Sequence, residues 1–256
     1  MRAVWAIACG MIKELIRKKD FYVLLIFMLI LLGFLSYQNF FDIGGVSRYV
    51  RDLGYSLVMF FSFITAVTFT AKQLPSEIAA RTIYPLLAKP LSRQTIIMGK
   101  FFGGVLVSGL SFTIFYAIFT GFYMTGGEGK SLVLLAQGYL FGLLFLCLVT
   151  ALVMFFSNFL TMSANIVLSF LLYISIGGLA DSLREIALFS KGIISVLYGA
   201  IYYFLPHLEF FDLRTRITHA WDPLPLWVVF SLSGYTVIYC CALLYLSGYM
   251  FERKRL

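Results

Sequence analysis

Apolar residues run in long blocks along the chain, broken by short stretches that carry charge, glycine or proline. Blocks at about 21–41, 53–73, 101–124, 131–156, 163–180 and 225–250 each approach the ~20 residues an α-helix needs to cross a bilayer. They predict six transmembrane helices. Residues 1–20 follow a different rhythm. Val4, Ala8, Met11 and Leu15 share one helical face, with Trp5, Ile12 and Ile16 beside it and Arg2, Lys13, Arg17 and Lys18 largely opposite. That spacing predicts an amphipathic interfacial helix, with Trp5 at headgroup level.

The segment 181–224 is awkward. Its longest clean apolar run is residues 193–205, interrupted on its N-terminal side by Lys191 and Gly192. A run of that length is too short to cross, which predicts re-entrant or interfacial helices, and the pattern leaves open which of the two describes 186–205.

Composition agrees with this layout. Of 256 residues, 61% are hydrophobic and 12% charged, where a soluble domain has about a quarter charged. The expected fold is one all-α transmembrane domain over 1–256. The net charge of +8 does not point to nucleic acid, because the basic residues flank apolar runs and form no separate basic domain. With six spans, Arg2, Lys13, Arg17, Lys18, Lys19, Lys72, Arg81, Lys89, Arg93, Lys100, Arg253, Lys254 and Arg255 fall on one side. Arg48, Arg51, Lys130, Arg184, Lys191, Arg214 and Arg216 fall on the other. The richer side is expected to be cytoplasmic, with both termini there. The first apolar run lacks a cleavage site in "FLSYQNF" and is read as an uncleaved span.

Several chemistries are disfavoured. "MTGGEGKS" at 124–131 has Met124 where a phosphate-binding loop needs glycine, and no strand precedes it. Cys9, Cys147, Cys240 and Cys241 form no C-x-x-C pair and read as small apolar residues. His207 and His219 have no metal-ligand spacing. No ionisable residue sits mid-span, which argues against ion coupling and intramembrane acid–base or metal catalysis. Neither catalytic residues nor cofactor or metal ligands are expected. The polar groups at membrane depth are Gln137, Asn165, Ser108, Ser111 and Thr113. They read mainly as interhelical hydrogen-bonding groups, with Asn165 and Gln137 kept as pathway candidates. Small residues four apart (Gly99–Gly103, Gly104–Ser108, Gly138–Gly142) let helices approach closely. Their spacing does not say whether the partner helix belongs to this chain or to a second copy.

The sharpest signal is the loop 74–100, "LPSEIAARTIYPLLAKPLSRQTIIMGK". Pro75 suits a first helical turn. Ile78, Ile83, Leu86 and Leu87 give an apolar side, Glu77 and Arg81 an i,i+4 pair, and Pro85 and Pro90 break the helix into short pieces. Such a short stiff helix, tied to the second and third spans, suits force transmission.

Glu77 through Arg93, followed by Gly99-Lys100 and Gly103, resembles the loop between the second and third spans of ABC-2-type transporter permeases, the six-span membrane subunits of bacterial, type V-like ABC exporters. "YYFLPHLEFFDLR" at 202–214, with Pro206, His207 and Glu209, resembles a Leu-Pro-Asn-Leu-Glu segment in the outer region of some members, with His207 in place of Asn. The resemblance implies a permease of the bacterial inner membrane paired with two copies of a separate cytoplasmic ABC ATPase, which holds the ATP and Mg. A second permease copy, identical or paralogous, completes the unit. Glu77, Ile78, Arg81, Thr82, Leu86 and Leu87 would lie on the coupling helix, and Lys89, Pro90, Ser92 and Arg93 on the return. The implied function is export or extrusion of an unidentified substrate. The alternative is a mechanotransmission complex acting on a periplasmic partner or lipid, suggested by the aromatic-rich 193–212.

Overall fold

The computed structural model describes residues 2–17, 19–38, 46–75, 93–125, 131–174 and 206–253, with positions 185, 188, 189, 195 and 198. In chain order the elements are α1 (Arg2–Arg17), α2 (Lys19–Gln38), α3 (Val46–Ala71), α4 (Arg93–Thr125), α5 (Leu132–Phe156) and α6 (Met162–Ile174). A single 3-10 turn (Leu208–Phe211), α7 (Arg214–His219) and α8 (Leu226–Arg253) follow. Among the described residues all regular structure is helical. Four segments are long and apolar enough to cross a membrane: Arg51–Pro75, Arg93–Met124, Leu132–Phe156 and Leu226–Arg253. Phe21–Phe34 and Met162–Ile174 are shorter apolar helices. Helices suit apolar chain in lipid because each satisfies its own backbone polar groups.

The bundle centres on α3, α4 and α5, whose buried Phe63, Phe112, Phe115, Phe141 and Phe145 form its core. α5 is entered through Ser131, whose Oγ accepts from the Leu134 N–H at 3.3 Å, satisfying one of the helix's orphan donors. The small-residue positions take partners from this same chain. A Cβ at Gly142 would collide with the Phe112 ring of α4, and one at Gly103 would strike Met11 and the Ala8 backbone of α1. Part of the apolar face of α1 is therefore covered by protein: Ala8, Met11 and Leu15 are buried, while Trp5 and Ile16 remain exposed.

Several hydroxyls at membrane depth are partnered at low cost. Ser111 and Thr150 donate to the carbonyls of Val107 (2.9 Å) and Leu146 (2.7 Å) in their own helices. Thr113 also meets Tyr139 across α4 and α5 at 2.9 Å. α8 is the least covered of the four long helices, with 17% of its most apolar window buried. Trp227, Phe230, Val237, Ile238 and Tyr245 point away from the bundle. In lipid such a surface carries no solvation penalty.

Candidate functional site

Two clusters of long-range polar contacts mark the two ends of the bundle. The first surrounds Pro75 and Arg93, the points at which the segment 76–92 leaves α3 and enters α4. Arg93 donates from one guanidinium nitrogen to the carbonyls of Phe251 (2.9 Å) and Glu252 (3.3 Å), and its guanidinium lies 5.7 Å from the Phe251 ring centroid. These carbonyls belong to the last turn of α8, which lacks intrahelical donors and attracts cations. Lys100, only 3% exposed, donates to the Gln73 carbonyl at 3.4 Å and so joins α4 to the end of α3. Burying an ammonium is costly unless it is hydrogen-bonded, so this contact holds the two helices in one relation. Lys72 reaches Glu14 of α1 at 3.3 Å and covers the Phe69 ring at 4.6 Å. Nearby, Asn158 donates to Ser247 at 2.7 Å and ties the exit of α5 to α8.

Four helices, α1, α3, α4 and α8, thus converge on the two attachment points. Of the residues expected to couple to an ATPase, Arg93 lies within this junction. Glu77, Ile78, Arg81, Thr82, Leu86, Leu87, Lys89, Pro90 and Ser92 fall in 76–92, outside the described residues.

At the opposite end, residues 206–225 fold back over α3, α5 and α8. Gln137 and Leu224 exchange two hydrogen bonds, of 2.8 and 2.9 Å. The His207 backbone N–H donates to the Tyr235 hydroxyl of α8 at 2.9 Å, and the His207 ring meets Glu209 at 3.3 Å. Asp52 of α3 receives Arg214 at 3.5 Å and Thr218 at 3.3 Å. Ile217 is fully buried against α5, where Gly138 leaves room for it. Pro206 is half-buried at the start of this segment.

Asn165 sits toward the first end. Its side chain donates to the Val153 carbonyl (3.0 Å) and Ser157 Oγ (2.9 Å) of the α5 exit and accepts from Ser169 (3.4 Å). Gln137 and Asn165 therefore lie at different ends, each engaged by a neighbouring segment, and Gly138 and Gly142 are close-packing positions. Sequence reasoning passed over Asp52, Gln73, Tyr235 and the burial of Lys100. The only hint for Lys100 was its place between Gly99 and Gly103, where helices come close.

Among the described residues no three metal-ligating side chains cluster. The arrangement instead ties helix ends together, at one rim around Pro75 and Arg93 and at the other through the folded 206–225 cap. The sequence model of the ABC-2 family transporter proteins matches residues 5–256. No curated protein matches the chain. The match spans nearly all of α1 and every later element, so the chain belongs to the ABC-2 transporter family, as a multi-pass membrane permease subunit of an ABC transporter.

Proposed function

We propose that this permease has six spans and both termini in the cytoplasm of a bacterial cell. In this reading it converts ATP hydrolysis by a separate ABC ATPase into export of a substrate through residues 74–100. The observation that carries this reading is the junction around Pro75 and Arg93. A displacement of 76–92 acts at once on α3 and α4, and reaches α8 through Arg93 and α1 through Lys72. Packed helices shift between discrete arrangements and do not deform continuously, so a small push at such a junction moves whole elements. The surplus of Lys and Arg on the 72–100 side supports placing it in the cytoplasm, where an ATPase is within reach. Two ATPases and a second permease copy complete the working unit in this reading.

The test is a paired one. Arg81→Glu and deletion of 78–84 are each expected to abolish ATPase recruitment or stimulation while the permease remains in the membrane. Survival of both pull-down and ATPase activity in both variants overturns the coupling assignment. Crosslinking from 206–216 addresses the mechanical alternative, since capture of one specific periplasmic protein favours it over export.

A further inference from the structure

Between α3, α5, α6 and the turn before α7 lies a cavity of about 250 Å³. Among the described residues it is lined by Tyr55, Met59, Phe145, Tyr173, Asp212 and Arg214, with Ser56, Ile174 and Leu208 completing the wall. The volume falls just below the range of about 300–1,000 Å³ typical of drug-sized sites, so it suits a small molecule.

Its chemistry is asymmetric. The walls are aromatic and apolar. Tyr55 is 0% exposed, and its hydroxyl is buried without a hydrogen-bond partner. A buried unmade hydrogen bond costs about 1–3 kcal/mol, but with the whole residue inaccessible this hydroxyl belongs to the packed wall and is not presented to the cavity. Two charged side chains, Asp212 and Arg214, line the cavity, and Asp52 pairs with Arg214. Arg214 is engaged by Asp52 at 3.5 Å, and Asp52 takes Thr218 as well. Asp212 uses Oδ1 only to accept from the Arg214 backbone N–H at 2.9 Å. Asp52 thus takes the guanidinium of Arg214, and Asp212 takes its backbone N–H. The guanidinium is already paired, and the surplus negative charge rests on Asp212, beside the rings of Tyr55 and Tyr173.

We propose that this cavity binds a small organic cation, an amine or quaternary ammonium with an apolar or aromatic body. Tyr55 and Phe145 are buried, and the partly exposed Tyr173 ring is the aromatic surface that attracts the cation. Asp212, exposed at the mouth, supplies the opposing charge. An anion meets the carboxylate instead and is repelled. The site lies at the end of the bundle away from Pro75 and Arg93, so its occupancy is measurable without any ATPase, and failure of the coupling reading leaves it untouched.

The experiment is calorimetric titration of the full chain in nanodiscs with benzyltrimethylammonium and with benzenesulfonate, empty nanodiscs serving as the blank. Saturable binding of the ammonium and none of the sulfonate is expected. Asp212→Asn keeps an acceptor for the Arg214 N–H and removes the charge, and is expected to weaken ammonium binding tenfold or more. Ile174→Trp, at the exposed rim, is expected to obstruct entry and weaken it as well, while Arg216→Gln leaves it unchanged. Equal binding of the two probes, no saturable ammonium binding, or an Asp212→Asn variant that binds like the parent overturns the proposal.

Discussion

Gln137 and Leu224 grip each other with both ends of the amide: Nε2 donates to the Leu224 carbonyl at 2.8 Å and Oε1 accepts its N–H at 2.9 Å. The pairing imitates a strand-like exchange between a helix side chain and a loop backbone. It sets where the chain turns from the 206–225 segment into α8. Gln137→Leu leaves a donor and an acceptor of Leu224 unmet, each worth about 1–3 kcal/mol where water is excluded. A lowered unfolding temperature in detergent and faster proteolysis within 206–225 are expected. Gln137→Met, which keeps the length of the side chain without either hydrogen bond, is expected to lose about as much. Equal protease resistance of all three proteins would show that the amide does not hold the segment.

Arg93 joins the start of α4 to the last carbonyls of α8. Arg93→Met retains the stem over Phe251 and removes the hydrogen bonds. Limited proteolysis near residues 251–256 is expected to accelerate, and ATPase stimulation in the reconstituted complex to fall several-fold while overall thermal stability changes little. Unchanged stimulation would remove Arg93 from the coupling route.

Gly142 faces the Phe112 ring. Gly142→Val forces the α4–α5 contact apart at an expected cost of about 1–3 kcal/mol, read as thermal stability in detergent. Adding Phe112→Ala opens the space, so the double variant is expected to be more stable than Gly142→Val alone. Additive losses in the double variant would mean that the two positions do not meet.

Cys147 of α5 and Cys240 of α8 place their sulfurs 3.8 Å apart. A disulfide needs about 2.05 Å, so the two thiols are unbonded in this structure yet near. With Cys9 and Cys241 replaced by serine, mild oxidation of the membrane-embedded protein is expected to join Cys147 to Cys240 within one chain, detected by peptide mass. Absence of that link would argue against the α5–α8 packing described above.

The helical class was legible because lipid imposes one simple rule, that long apolar stretches coil on themselves, and Leu132–Phe156 shows it most plainly. Close approach was legible at Gly103 and Gly142, but their partners Met11 and Phe112 were not, since a small residue says that something comes near and not what. Lys100 could be read as a basic flank; its burial depends on Gln73, a residue 27 positions away that nothing local singles out. The 206–225 cap was least legible of all. Its anchors, Asp52, Gln137 and Tyr235, lie far away in sequence, and its apolar content is too low to separate it from an ordinary interfacial loop.

α8 is 28 residues long, a rod of ~42 Å at 1.5 Å per residue. It is fastened near one tip by Arg93 and toward the other by the Tyr235–His207 contact, with one flank bare. A rod so mounted works as a lever. In the coupling reading proposed above, a tilt of its Phe251 tip is expected to be felt at His207 on the far rim, so that events at one end of the bundle reach the other without any signal threading the core.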